Sequence, residues 1–251
     1  MFFHLTLFFW SLGYLLSLEL LTLNPNLTDW KSYGFSLLFV SVIALFAAYR
    51  TTKKAMSIPI PLLFSFSTPT LLFLIDSRTN QHIFAVISAI AFYSLLLGLY
   101  RLRFAPSDET ALAFMHAGGM ASLLLFYAAC FGLYLNFDIS LWVLMATIAC
   151  STLSVAYQML RVLVKGQRRG NILCAVFLAL VVTEASLIAS LWPFGYLTTA
   201  AILLIVFFFA WEGCFFSDSR QFFEKKFLWR TLYLFALAAL LLYSSPWRML
   251  V

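Results

Sequence analysis

Charge is what this sequence has least of. Only 10% of its 251 residues are Asp, Glu, Lys or Arg, and polar stretches between its apolar runs reach about 17 residues at most, too short for a soluble domain with its own core. With 63% hydrophobic residues and 18% aromatics, a water-soluble globular fold is excluded, because water could not cover that much apolar surface. Histidine is almost as scarce, with three copies at positions 4, 82 and 116. A bis-histidine haem therefore has no support. The four cysteines, Cys130, Cys150, Cys174 and Cys214, form no CxxC pair, so neither a disulfide framework nor a metal centre is expected. GxSxG, HExxH and Walker A sequences are missing, as is any paired acidic motif suited to metal or phosphoryl chemistry. Every lysine falls outside the apolar runs, which leaves none for a retinal-type Schiff base. No catalytic residue, metal or cofactor is predicted.

What is present is long apolar runs without period-two alternation. They exceed the roughly ten residues of a barrel strand and approach the roughly 20 that a spanning helix needs. The predicted fold is an all-α polytopic transmembrane bundle in a single domain over residues 1–251. Nine spans are expected, near 2–23, 33–49, 58–75, 82–100, 112–135, 139–160, 171–191, 196–211 and 229–243. The first resembles a signal peptide but lacks a basic leader and a small-residue cleavage site, so it reads as an uncleaved span. The last is short and has Arg230 near its start, so eight spans plus a half-inserted helix is the alternative count.

Thirteen of the sixteen basic residues fall in the even-numbered loops; only Lys31, Arg78 and Arg248 do not. Short cytoplasmic loops carry the excess of lysine and arginine, which predicts a cytoplasmic N-terminus. The net charge of +6 is then a topology signal and not a nucleic-acid footprint. The loop over 213–230 is aromatic as well as basic. Helical spacing would set its phenylalanines opposite Arg220, Lys225 and Lys226, as in an interfacial helix facing anionic headgroups. Membrane lipids and other membrane subunits are the expected partners.

Carboxylates within the apolar runs are the first candidates for function, since an intramembrane ionisable group usually faces protein or water. Glu184 lies seven residues from the end of its run, roughly 10 Å deep at 1.5 Å per residue. The neighbouring stripe Ala175, Ala179, Thr183, Ser186 and Ser190 invites a close helix contact, and Glu184 is expected to face protein, either as a proton or cation site or as a protonated hydrogen-bond donor. Glu19, Asp76, Arg78 and His82 sit at the same predicted side, and convergence of all five would line a polar vestibule; scattered interface charges are the alternative. Pro69, among Ser65, Ser67, Thr68 and Thr70, predicts a kink or break in the third span. Thr147, Ser151, Ser154 and Gln158 share one face of the sixth, as interhelical glue or as a permeation path. His116 near the start of the fifth run is a proton-relay candidate or a structural residue, and the glycines at 118 and 119 predict tight packing.

The run from Glu184 into Leu191-Trp192-Pro193-Phe194-Gly195-Tyr196, with Thr198-Thr199 and the later Pro246-Trp247-Arg248, resembles a hairpin of uncharacterised polytopic membrane proteins of small-genome bacteria. The resemblance covers about the last 75 residues and implies a bacterial inner-membrane location without implying any chemistry. Three functions stay open: a non-enzymatic membrane subunit or scaffold that binds protein or lipid partners, a small transporter or channel using Glu184, and a membrane enzyme acting on a lipid-linked substrate.

Overall fold

A computed structural model describes residues 2–23, 30–163, 168–192 and 194–216. Among these the chain is wholly helical, in eight helices: α1 (Phe2–Leu23), α2 (Trp30–Thr52), α3 (Pro59–Leu74), α4 (Arg78–Phe104), α5 (Glu109–Asn136), α6 (Leu141–Leu163), α7 (Arg168–Ser190) and α8 (Tyr196–Phe216), with one 3-10 turn at Ala55–Ser57. Six are long and apolar enough to cross a membrane, while Ser36–Thr52 and α3 are shorter apolar helices. An all-helical bundle of this kind is compatible with an integral membrane protein, because an apolar segment that leaves water must satisfy its backbone internally. The predicted ninth span, and Arg220, Lys225 and Lys226 with it, lie outside the described residues.

Several helix ends extend beyond the apolar runs. α5 starts at Asp108, whose Oδ1 accepts the Thr110 N–H at 3.0 Å and the Ala111 N–H at 3.4 Å, satisfying two of the first turn's unpaired donors. α3 begins on Pro59, where a missing N–H costs nothing. α8 continues five residues past its predicted end at 211, which corrects the start of the interfacial segment: Gly213 and Cys214 are helical and belong to α8.

The helices pack as neighbours in space, α1 against α2 and α4, α6 against α7, and α8 against α5 and α7, with α3 enclosed by α1, α2, α4, α5 and α6. Between membrane helices close packing and hydrogen bonds do the work that water does elsewhere. Tyr14, Phe64 and Phe92 stack at the meeting of α1, α3 and α4, with the Tyr14 and Phe92 ring centres 4.3 Å apart. Ser11 of α1 donates to the Ala89 carbonyl of α4 at 2.8 Å. The glycines of α5 do permit close approach, since a Cβ on Gly119 would lie 2.8 Å from Met159 Sδ on α6.

α3 runs unbroken through Pro69, against the expected break. Ser67 and Thr68 donate back to the Phe64 carbonyl and Thr70 to that of Phe66. Both ends of α3 are held by glutamines from other helices. At its start Gln158 of α6 accepts the Ile60 N–H at 3.0 Å and donates to the Ser57 carbonyl at 3.2 Å. At its end Gln81 of α4 donates to the carbonyls of Ile75 at 2.7 Å and Leu72 at 3.2 Å. Gln158 is thus a helix-to-helix tie, the first of the two roles open for its stripe.

Candidate functional site

Of the five residues whose convergence would have lined a vestibule, the structure unites two. Glu19, one turn from the end of α1, sets its Oε2 2.6 Å from Nδ1 of His82 in the first turns of α4, and Thr22 donates to the same carboxylate oxygen at 3.3 Å. The packing of α1 on α4 brings them together, and both are part-exposed. Asp76 and Arg78, in and just after the turn joining α3 to α4, are exposed. Neither enters the pair. The result is a two-residue hydrogen-bonded pair at a helix junction and not a five-residue vestibule.

Glu184 is the clearest correction. It is exposed, while Ala175, Ala179 and Ser186 of the neighbouring stripe are buried. At 3.6 residues per turn the stripe and Glu184 lie about 140° apart around α7, so a carboxylate beside the stripe in sequence is opposite it in space. Leu180, Leu187 and Ile188 share its outward side and are themselves exposed. α7 packs mainly on α6 and α8.

Thr147, Ser151 and Ser154 line a groove of about 450 Å³ with Phe126, Pro59 and Leu62. Each hydroxyl donates to a carbonyl of α6 itself, at Leu144, Ile148 and Cys150 respectively, so within the stripe Gln158 alone ties α6 to α3. His116 meets Trp211 of α8 edge-on, with ring centres 5.7 Å apart, in a packing contact.

Three polar residues that carry the interior were not singled out from sequence. Tyr14 of α1 bonds Thr68 of α3, and Tyr127 of α5 bonds Thr152 of α6 at 2.8 Å, with both rings fully buried. Because each threonine spends its own proton on a carbonyl of its helix, Phe64 or Ile148, the tyrosine is the donor in both pairs. Glu212 is the one buried carboxylate among the described residues. It sits in the last turns of α8 beside Trp211, a place where the run Trp211-Glu212-Gly213-Cys214 reads as the end of a span; apolar residues on both sides of it were the available signal.

No group of three or more His, Cys, Asp or Glu that could hold a metal occurs among the described residues, and the four cysteines are free thiols. Compared with family models, with characterised proteins and with solved structures, the chain shows no match.

Proposed function

We propose that this protein is a non-enzymatic subunit of a membrane assembly, which engages a partner helix through the outward face of α7. The observation that carries this reading is the exposure of Glu184 amid Leu180, Leu187 and Ile188. An ionisable group at the centre of a membrane helix costs about 2.5–3.5 kcal/mol on insertion scales, and a neighbouring helix that offers a hydrogen-bond donor or a basic group at that depth would offset the cost. Transport through the bundle is less well supported, because the carboxylate it would use points away from the bundle interior, and the interior hydroxyls of Tyr14, Thr68, Tyr127 and Thr152 are engaged between helices or with carbonyls of their own helices. In this reading the end of the bundle that carries Arg50, Lys54, Arg103 and Arg161 faces the cytoplasm of a bacterial cell.

Photo-crosslinking in native membranes tests the interface. A probe at Leu187 should give one adduct with a second membrane chain of fixed stoichiometry, and a probe at the buried Val182 should give none. Glu184→Leu should abolish the adduct and Glu184→Gln should retain it, with thermal unfolding of the monomer unchanged in both. Adducts with lipid alone would refute the interface.

A further inference from the structure

Where α2, α4, α5 and α6 meet at the basic end of the bundle, a cavity of about 450 Å³ carries three cations in its lining, Lys54, Arg103 and Arg161. That volume is within the roughly 300–1,000 Å³ of small-ligand sites. None of its lining residues is acidic, and among the described residues no carboxylate pairs with any of the three cations. The deeper wall is apolar, formed by Leu99, Leu102 and Met115. A cavity with a cationic mouth and an apolar wall is complementary to an amphipathic anion.

The fold fixes Arg103 through its side chain and Lys54 through its backbone. Arg103 donates to the Thr51 carbonyl at 3.1 Å, which joins the ends of α4 and α2 and leaves other guanidinium N–H groups for a ligand. Lys54 follows Lys53, whose φ of 54° is in the left-handed region and whose N–H closes on the Tyr49 carbonyl at 2.7 Å, ending α2 with a tight turn. The Lys54 N–H also bonds the Thr52 hydroxyl at 3.3 Å. Arg161, on α6, is exposed at the rim.

We propose that this cavity binds the phosphate of an anionic phospholipid, with the headgroup among Lys54, Arg103 and Arg161 and the start of an acyl chain along Leu99, Leu102 and Met115. Basic pockets between membrane helices suit phosphate headgroups electrostatically, and the apolar wall favours the lipid over free phosphate. The site is independent of the α7 face and of Glu184, so either reading can fail alone.

The test uses the full chain in phosphatidylcholine nanodiscs with and without phosphatidylglycerol, read by native mass spectrometry and lipid titration. Wild type should hold phosphatidylglycerol saturably. Lys54→Gln with Arg161→Gln should weaken that binding about thirtyfold, from about 1 kcal/mol for each of the two basic groups near the headgroups. Arg50→Gln with Arg169→Gln removes the same charge from exposed positions outside the cavity and should change affinity less than about twofold. Leu102→Trp fills the apolar wall without altering charge and should also weaken binding. Equal losses in the two charge-removing doubles would overturn the proposal in favour of diffuse surface charge. Displacement of the lipid by millimolar inorganic phosphate would overturn the lipid as occupant.

Discussion

The Tyr127–Thr152 bond can be tested by the asymmetry it predicts. Tyr127 is fully buried, its hydroxyl lies 2.8 Å from Thr152 Oγ1, and the Thr152 proton is engaged 2.7 Å from the Ile148 carbonyl. Removing the donor by Tyr127→Phe leaves Thr152 with its bond to Ile148 and only an unused lone pair. Its cost should stay near the 0.6 kcal/mol average, and below the 1.7 kcal/mol maximum, of about what membrane double-mutant cycles give. Removing the acceptor by Thr152→Val strands a buried O–H donor, at about 1–3 kcal/mol, while the Ile148 carbonyl still receives the helical N–H of residue 152. The double variant has neither group to strand and should recover most of the loss. Reversible unfolding in bicelles of the four proteins measures each step. A Tyr127→Phe variant as destabilised as Thr152→Val, or a double variant that simply adds the two costs, would refute the donor assignment.

Glycine positions give a second contrast. A Cβ on Gly98 would sit 2.8 Å from Phe114 Cβ, an atom fixed to the backbone of α5, so Gly98→Ala should cost about 1–3 kcal/mol; Gly118→Ala crowds the flexible tip of Leu95 and should cost measurably less by thermal unfolding. The Glu19–His82 pair is part-exposed, so a double-mutant cycle with Glu19→Gln and His82→Ala should return a coupling of about 0.2–1 kcal/mol, and a coupling several times larger would show that the junction is shielded from water. At Asp108 the Thr110 hydroxyl holds the carboxyl below its usual range against the opposing effect of burial, with the backbone N–H groups of Ala111 and Thr110 and the Arg101 charge adding to the lowering. A lowered folded-state value means that the cap's contribution is present above the ordinary carboxylate range and fades as pH falls toward the lowered value. Hydrogen exchange at the Thr110 and Ala111 amides should therefore speed up at acid pH relative to its intrinsic rate, and Asp108→Asn should remove that dependence.

Apolar run length made most of the helices legible, with ends that differ from the observed ones by five residues or fewer, because an apolar backbone leaving water has few alternatives to helix. Function was less legible for reasons that particular residues make plain. Glu184 lies within two residues of Thr183 and Ser186, but at about 100° per residue adjacency in sequence is no guide to a shared face, and the angular position opposite the stripe was there to be read. Glu212 was hidden by the convention that a charge closes a span. The basic cavity had no local signature, since its cations come from positions 54, 103 and 161, each of which reads alone as an ordinary flanking charge. Glu19 and His82 are at matching ends of two apolar runs, a common depth that is compatible with their contact but does not single it out from the other charges at that end.

α3 shows how the same composition can mislead about one helix and still specify the bundle. Its 16 residues span about 24 Å at 1.5 Å per residue, short of the roughly 30 Å of a hydrocarbon core. It also contains Pro69 and a run of hydroxyl residues, so as a solitary span it is the poorest of the eight. In the bundle it is among the most enclosed: Ser65, Ser67, Thr68 and Thr70 are all buried, and five other helices surround it. A short helix leaves its terminal N–H and C=O groups below the membrane surface, where water does not reach them freely. Gln158 and Gln81 meet that need by supplying side-chain partners at either end. Of the hydroxyls that weaken α3 as a lipid-facing segment, Thr68 becomes an interhelical contact by receiving the Tyr14 proton, while Ser67 and Thr70 bond carbonyls of α3 itself. Polarity inside this bundle is therefore concentrated where the backbone is least able to satisfy itself, which is why its interior polar side chains belong to the architecture and the groups free to meet a ligand lie at its basic end and on the outward face of α7.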